Sequence, residues 1–313
     1  MTRGAGPRDL PLLGERLDAL RADWAERRLD SDPLEFARRA KPVEQEVTAF
    51  LAASLAFGRV ASIRTSIRRI LDALEDRPAA FLERWDERPI PALEHFRHRW
   101  VSGEDVEDFL RMVKRARQAH GSLGALFAAG DEEEEKIFLE GEEGLPASRA
   151  AFPDYTAALS HFHRNLLSFS SSSTPSRGLK FLLPEPRSGS ACKRSHLFLR
   201  WMVRTEGFDL GLWTGGSFTP ARLLLPMDTH VHRIATYLGL TRRPSADLAA
   251  SREATGWLRR LNPEDPVAYD WALSRLGILA ECVIERTRRH CERCAVRPVC
   301  RASLIPSQGA AAA

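Results

Sequence analysis

Apolar residues recur every three or four positions along most of this chain, the spacing that places them on one face of an α-helix. Residues 12–27 show the pattern, with Leu13, Leu17, Leu20 and Trp24 on one face. The two-residue alternation that marks a half-buried β-strand is almost absent. The sequence therefore predicts an all-α fold. Helices are expected at residues 12–27, 44–57, 61–74, 104–119, 154–167, 191–204, 229–238, 246–261 and 266–282.

Length and composition predict a folded protein of two domains. The chain has 313 residues, of which 43% are hydrophobic, and one domain usually takes about 100–200 residues. The longest apolar stretches, at 49–57 and 223–227, are much shorter than the ~18–20 residues of a membrane span. The N-terminus also lacks the apolar core of a signal peptide. We therefore expect a cytoplasmic protein without a membrane partner.

Positive charge is concentrated in two segments of the chain. The net charge is only +4, but residues 187–204 contain five basic residues and no acid, and residues 282–301 contain six arginines. Such segments either face phosphates or form ordinary solvated helix faces. An acidic run at 131–135, with further acids at 140–143, is predicted to be a solvated loop or helix end that disfavours nucleic acid nearby.

Four of the five cysteines lie in the last 32 residues, with the spacing Cys282-x8-Cys291-x2-Cys294-x5-Cys300. The odd total and the uneven spacing argue against a disulfide framework. Four thiolates in a compact loop suit a tetrahedral zinc ion or a [4Fe–4S] cluster. The single close pair favours iron–sulfur, because zinc ribbons usually carry two such pairs. Cys192, the fifth cysteine, is predicted to be a buried small apolar residue.

A polar motif with the sequence DTHVHR begins at Asp228 and precedes the cysteine loop. By itself, Asp228 is typical of an N-cap for a helix that begins at Thr229, a role worth ~0.5–2 kcal/mol. The positive end of that helix also favours a carboxylate anion. A fixed carboxylate can stabilise the oxocarbenium-like sugar that forms when a glycosidic bond breaks. Asp228 is therefore a candidate both for a structural cap and for catalysis.

Together, the aspartate motif and the cysteine loop resemble those of the endonuclease III superfamily of DNA glycosylases, in which V-D-T-H precedes a C-x6-C-x2-C-x5-C loop. The last three cysteines have the family spacing, and the first gap is two residues longer. The resemblance implies an endonuclease III-like two-domain helical fold and catalysis by Asp228. It also implies a [4Fe–4S] cluster, with zinc as the alternative, bound by Cys282, Cys291, Cys294 and Cys300.

The segment 189–199, GSACKRSHLFL, resembles the family's G-x-x-K-T-A-x-x-V-x-L, in which a lysine at the start of a helix attacks the sugar in bifunctional members. The resemblance makes Lys193 a candidate Schiff-base nucleophile. A phosphate contact by the same lysine is the alternative. The residues expected to bind the DNA backbone are Arg187, Arg194, Arg200 and Arg204.

Three features depart from that superfamily. The turn at 183–189, LPEPRSG, lacks the glycine pair of the helix-hairpin-helix motif. Lys193 and Asp228 are 35 residues apart, which implies an insertion at 208–222. The apolar segment 49–58 ends without the glutamine that fills the gap left by a flipped base, and Phe57 stands there as a candidate apolar wedge that contacts DNA.

With these departures, the blocks 52–59, 189–204 and 226–240 resemble an uncharacterised bacterial domain-of-unknown-function family that is distantly related to the helix-hairpin-helix glycosylases. The endonuclease III-like fold implies a helical barrel domain at 43–226. A discontinuous second domain is then formed by residues 1–42 together with 227–313, and carries the cysteines.

These features lead to one functional hypothesis and two alternatives. The first is a monomeric, nucleoid-associated DNA glycosylase, with or without AP-lyase activity, that excises a damaged or modified base in DNA repair. The second is a non-enzymatic nucleic-acid-binding protein that keeps the iron–sulfur or zinc site on a glycosylase-like scaffold. The third is a zinc-stabilised helical interaction module.

Overall fold

The regular structure of the described residues consists of thirteen α-helices, seven short 3-10 helices and one short hairpin. The computed structural model describes residues 6–24, 32–141, 154–278, 282 and 291–304. The helices are α1 (Leu10–Trp24), α2 (Leu34–Arg39), α3 (Pro42–Ser54), α4 (Val60–Ala73), α5 (Pro78–Arg84), α6 (Gly103–His120), α7 (Leu123–Gly141), α8 (Thr156–Ser168), α9 (Arg177–Leu182), α10 (Lys193–Val203), α11 (Thr229–Leu238), α12 (Leu248–Arg259) and α13 (Asp270–Ile278). Strands β1 (Arg97–His98) and β2 (Val101–Ser102) pair antiparallel. The predicted all-α class is confirmed.

The chain divides into two units. Unit 1 contains Met1–Arg27 and Leu223–Ala313, and unit 2 contains Arg28–Arg222. These boundaries differ from those predicted after residues 42 and 226. The main difference is α2, which packs against α3 and therefore belongs to unit 2.

The predicted core faces are buried in the helices that the sequence pattern indicated. In α1, Leu13 and Leu17 are fully buried and Leu20 is nearly so, whereas the side chain of Trp24 lies outside the described residues. Nine of the thirteen residues of α3 are buried, as expected for a helix that is apolar on all faces. Helix α6 begins after an N-cap at Ser102, which exchanges hydrogen bonds with Asp105 in a capping box.

The core of unit 2 is built around Phe50 of α3. Its ring lies 4.9 Å from Phe109 of α6, 5.7 Å from Phe162 of α8 and 4.9 Å from Phe198 of α10. Aromatic pairs at these distances stabilise a core beyond the area that they bury. One ring therefore ties four helices together, including the helix that begins at Lys193.

The segment 208–222 belongs to the same core. Trp213 is 5% exposed, packs against Phe127 and Phe198, and donates a 2.9 Å hydrogen bond from Nε1 to Glu46. Buried tryptophan usually finds such an acceptor. The segment thus contributes Trp213 to the interior of unit 2 beside α10.

The acidic run at 131–135 lies within α7, so the prediction of a loop or helix end there is wrong. Asp131 is 3% exposed and accepts hydrogen bonds of 2.6 and 2.7 Å from Arg222. The ion pair compensates the buried charge. The side chains of 134–141 and the acids at 142 and 143 lie outside the described residues.

Unit 1 places α1, α11 and α13 around a shared core, because α13 packs against both of the other helices. Gly277 of α13 is required at one close approach. A Cβ atom there would come within 2.9 Å of the Cβ of His230. Among the described residues, no helix is both long and apolar enough to cross a membrane.

Candidate active-site residues and the cysteine-lined cavity

Lys193 is the first residue of α10 and is partly exposed. The turn that precedes it contains a 3-10 segment at Pro186–Ser188, followed by Gly189 at φ 87°. A glycine is favoured at this left-handed position because it has no Cβ. Cys192, at φ 42°, directly precedes Lys193. The turn therefore reverses the chain between α9 and α10 and presents Lys193 at a helix N-terminus.

The turn is held from α8 by a buried histidine. The Nδ1 of His163 lies 2.9 Å from the carbonyl oxygen of Pro184, and its Nε2 lies 3.2 Å from the hydroxyl of Ser195 in α10. Burial lowers the pKa of His163 to about 4, so the ring is neutral near pH 7. A neutral ring that donates to Pro184 and accepts from Ser195 satisfies both partners.

Cys192 is 3% exposed, which confirms the prediction that it is a buried apolar residue. Its Sγ lies 3.4 Å from the carbonyl oxygen of Pro184. Burial raises the pKa of the thiol to about 11. A protonated thiol at this position packs as a small side chain and is a poor nucleophile.

Arg194 is buried inside unit 2, which does not fit the predicted contact with the DNA backbone. Its guanidinium donates a 2.7 Å hydrogen bond to the carbonyl of Ser54 and another to that of Phe181. It lies 4.9 Å from the ring of Phe57 and 4.3 Å from the ring of Phe181. Burial lowers its pKa to about 10. Arg194 therefore joins α3, α9 and α10 from within.

Arg200 and Arg204 are also buried, and both bind the carboxylate of Asp209. Arg200 donates bonds of 3.2 and 3.1 Å, and Arg204 donates to the same group. The three side chains are 5%, 7% and 0% exposed, respectively. Their predicted role on the DNA backbone is therefore corrected, because a phosphate contact needs an accessible guanidinium. Arg187 is exposed, and its role stays a prediction.

Phe57, the predicted apolar wedge, is partly exposed in the loop that joins α3 to α4. Its carbonyl oxygen lies 3.0 Å from Nε2 of His98, whose Nδ1 lies 2.8 Å from the hydroxyl of Ser66. Burial lowers the pKa of His98, which favours the neutral ring that this arrangement requires. The loop is therefore fixed from β1 and α4.

Asp228 is the N-cap of α11, which begins at Thr229 as predicted. Its Oδ1 accepts hydrogen bonds of 2.9 Å from the backbone N–H groups of His230 and Val231. The side chain is partly exposed, and His230 beside it is exposed. Asp228 belongs to unit 1, whereas Lys193 belongs to unit 2.

All four cysteines of the C-terminal loop line one cavity in unit 1, beside α11 and α13. They are free thiols. The cavity is otherwise lined mainly by apolar side chains, including Ile234, Leu238 and Leu276, with Arg297 as its basic member. Arg233 of α11 donates a hydrogen bond to the carbonyl of Cys282, so the helix capped by Asp228 is bonded directly to the cysteine loop.

The donor set of this cavity fits a thiolate-bound group, because no carboxylate or imidazole is among its described lining residues. The pKa of Cys294 is raised by burial and also by the other three thiols. A cationic centre would relieve that repulsion. As they stand, the described residues contain no group of three or more His, Cys, Asp or Glu side chains arranged to hold a metal ion.

Comparison with known proteins identifies a family for this chain. Residues 32–279 match the sequence pattern of DUF2400, described as a protein of unknown function. The chain belongs to this family. No curated protein and no solved structure matches the chain significantly. The DUF2400 match includes Phe57, Lys193 and Asp228 and ends before Cys282, so it does not include the cysteine loop.

Within the DUF2400 region, sequence reasoning missed the residues that surround Phe57 and the acid that binds the arginines of α10. Trp100 and Phe181 contact Phe57 from β-hairpin and α9 positions that are far away in sequence. No local signal marked Trp100, because its partners are far away in sequence. Asp209 could have been found as one of the first two acids after α10, with Glu206.

Proposed function

We propose that this protein is a DNA glycosylase that hydrolyses the N-glycosidic bond of a damaged or modified base. One observation carries the proposal. Asp228 is fixed by two backbone hydrogen bonds at the N-terminus of α11, and its carboxylate is still partly exposed. The helix N-terminus favours the anion that the reaction needs.

In this mechanism Asp228 acts on the sugar. As the bond from C1′ to the base breaks, the base takes the electron pair and C1′ becomes oxocarbenium-like. The carboxylate stabilises this positive charge and accepts a proton from the attacking water. The water oxygen bonds to C1′, and the released base is protonated. The products are a free base and an abasic sugar.

Lys193 extends the reaction to strand cleavage. Its amine attacks C1′ of the abasic sugar and water leaves, which gives a Schiff base that promotes elimination of the 3′ phosphate. The position of Lys193 at the start of α10, partly exposed and next to the turn 183–192, supports this role. The lyase step defines a bifunctional enzyme, and without it the enzyme is monofunctional.

A [4Fe–4S] cluster bound by Cys282, Cys291, Cys294 and Cys300 completes the proposal, with zinc as the alternative. When bound, such a group supplies folding free energy by joining the loop to its surroundings. The thiols themselves hold it beside α11, and Arg233 links Cys282 to that helix. Iron and sulfide analysis tests the choice. Cys294→Ser should lower the iron content from about four atoms per chain, whereas Cys192→Ala should not.

Base release from a panel of lesion-bearing duplexes tests the role of Asp228. We expect Asp228→Asn to lower the rate at least 100-fold, because asparagine keeps the cap but loses the charge. Asp247→Asn is the matched control, since Asp247 caps α12 in the same way. Equal base release by the Asp228→Asn and wild-type proteins would refute the catalytic assignment.

Borohydride trapping on duplexes with abasic or oxidised sites tests Lys193. A covalent adduct is expected with the wild-type protein, and it should disappear in Lys193→Ala. The control is Lys41→Ala, because Lys41 is exposed and lies at the N-terminus of another helix, as the N-cap of α3. An adduct that persists in Lys193→Ala would assign the nucleophile to another amine.

Nucleic-acid binding without catalysis is the second candidate. The observation that favours it is that the Oδ1 of Asp228 accepts both backbone hydrogen bonds of a helix cap, a structural role that needs no catalysis. DNA affinity in a protein that releases no base from any duplex of the panel would favour this candidate over the glycosylase.

A further inference from the structure

The hairpin formed by β1 and β2 has an unusual tip. The register pairs His98 with Val101, so the turn consists of Arg99 and Trp100 alone. Two-residue turns of this kind favour glycine or asparagine, because they require positive φ angles. Arg99 has φ 57°, which costs an arginine roughly 1–2 kcal/mol. Backbone strain that does not stabilise the local structure is typical of functional sites.

Trp100 is the second unusual feature of the tip, because it is 42% exposed. Its ring is stacked on Phe57 at 6.0 Å with an angle of 26°, and it meets Phe181 edge-on at 4.7 Å. Phe57 and Phe181 contact each other at 4.8 Å. We call these three rings, Phe57, Trp100 and Phe181, the aromatic patch.

The aromatic patch is fixed from beneath. The guanidinium of Arg194 lies against Phe57 and Phe181 and binds the carbonyl of Phe181. The hairpin is tied to α9 by Asp105, which accepts hydrogen bonds from the hydroxyls of Ser102 and Ser176. A cation beneath the patch and a buried carboxylate beside it thus hold rings from three separate segments in one place. A rigid aromatic surface of this kind binds planar ligands at low entropic cost.

The surroundings of the aromatic patch are positively charged. The three segments that form it, 55–60, 97–102 and 177–183, contain no aspartate or glutamate. Their exposed cations are Arg59, Arg97, Arg99, Arg177 and Lys180. None of the five forms a salt bridge with a described residue, in contrast to the exposed arginines Arg84 and Arg88. Unpaired cations around an aromatic surface are complementary to a phosphate backbone with accessible bases.

We propose that the aromatic patch binds DNA that is single-stranded or locally unpaired, with one unstacked base against Trp100 and the neighbouring phosphates on the surrounding cations. Every base has a π face, so this contact tolerates many sequences. The partner is chosen because of its charge and its planar bases. The inference rests on the proposed function only in taking DNA, rather than another polyanion, as the ligand.

Fluorescence anisotropy with a labelled single-stranded oligonucleotide tests the stacking contact. Trp100→Ala should weaken binding about 10- to 100-fold, and Trp100→Phe, which keeps an aromatic face, should restore most of the affinity. Leu212→Ala is the matched control, because Leu212 is another exposed apolar side chain of unit 2. Circular dichroism of each variant verifies that the fold is intact. Unchanged affinity in a folded Trp100→Ala protein would overturn the proposal.

The salt dependence of the same binding tests the cations. The double variant Arg59→Ala and Arg97→Ala should lower the slope of log K against log salt by about 1.4, since each phosphate contact on a single strand contributes ~0.7. The control is Arg84→Ala with Arg88→Ala, which removes the same charge from arginines that have carboxylate partners. Equal slopes in the two double variants would contradict the proposal.

Two comparisons separate this inference from the proposed function. If Trp100→Ala loses affinity for the single strand and the wild-type protein releases no base from any duplex, the aromatic patch is supported and the glycosylase is refuted. If the wild-type protein releases a base and Trp100→Ala keeps the wild-type affinity for the single strand, the glycosylase is supported and the aromatic patch is refuted. Tighter binding of a perfectly paired duplex than of a single strand, or binding of an acidic protein alone, would also overturn the patch as a site for unpaired bases.

Discussion

Two regions of unit 2 contain arginines and no acidic residue in their sequence, but they differ in the burial of those arginines. In α10 and at its end, Arg194, Arg200 and Arg204 are buried and bound by protein groups. Around the aromatic patch, Arg59 and Arg97 are exposed and have no carboxylate partner among the described residues. The difference lies in the surroundings, because nearly all of α10 is buried, whereas Arg59 in the loop before α4 and Arg97 in the hairpin lie on the surface.

This comparison changes how basic segments should be interpreted. The run 187–204 is the longer stretch without any acid, and it was the predicted DNA contact. Its buried arginines instead satisfy carbonyl groups and one carboxylate, as buried charges must. The exposed basic residues lie in short segments. Counting charged residues along the sequence does not distinguish these segments from the rest of the chain.

The largest effect should come from the buried region. Asp209→Asn leaves two buried guanidiniums without their anion, so we expect the free energy of unfolding to fall by about 3–5 kcal/mol. Urea denaturation measures the change. The matched control is Asp86→Asn, an exposed acid paired with Arg88, which should change stability by less than about 0.5 kcal/mol. If both variants lost a similar free energy of unfolding, the cluster of Asp209 with its two arginines would stabilise the fold no more than an exposed ion pair.

An intermediate effect should appear in the pH dependence of stability. The pKa of His163 is about 4 in the folded protein, below the usual value of about 6.5, so protons favour the unfolded state. Its contribution is complete above pH ~6.5 and is lost as the pH falls toward 4, at ~1.4 kcal/mol per pH unit. His163→Gln should therefore flatten the stability curve between pH ~6.5 and 5.

Chemical denaturation at several pH values checks the role of His163. The control is His95→Gln, because His95 is exposed. His98, whose pKa is also lowered by burial, remains in both variants and supplies a slope of the same sign. A His163→Gln protein with the wild-type slope would show that the slope comes from other groups.

The smallest effect on stability should come from Arg99, beside the aromatic patch. Its replacement should raise the free energy of unfolding, whereas the preceding changes lower it or alter its pH dependence. Arg99→Gly removes a side chain from a left-handed backbone position, so the free energy of unfolding should rise by about 0.5–1 kcal/mol. The same change should weaken single-strand binding, because a cation is lost beside Trp100. Thermal melting and anisotropy measure the two results. If Arg99→Gly lowered the free energy of unfolding and left the affinity for the single strand unchanged, the backbone strain at Arg99 would have no link to function.

Long helices with a regular apolar face were predictable from sequence. Helices α1, α3, α4, α6, α8, α10, α11 and α12 were found within a few residues of their predicted bounds, because burial follows the period of 3.6 residues. The last predicted helix, 266–282, begins as a 3-10 turn at Pro266–Tyr269 before α13. Helices α2, α5 and α9 have six or seven residues, too few to show a period. Helix α7 was missed because its acidic run obscured the pattern.

The candidate site was predictable only where local chemistry decides it. Asp228 was identified as a helix cap from its own sequence, since the cap and its two N–H partners are adjacent in the chain. The shared cavity of the four cysteines also followed from their short spacing. The partners of Arg194 did not, because Ser54 is 140 residues away.

By itself, the sequence determined the helical class, the cap at Asp228, the start of α10 near Lys193 and the grouping of the C-terminal cysteines. These features depend on interactions between residues within about one or two helical turns, or within one short loop. Only the tertiary structure decided which arginines are buried and which are exposed, and that Trp100 meets Phe57 and Phe181. Burial and aromatic contact depend on which distant segments pack together, and charge and hydrophobicity along the chain do not specify that.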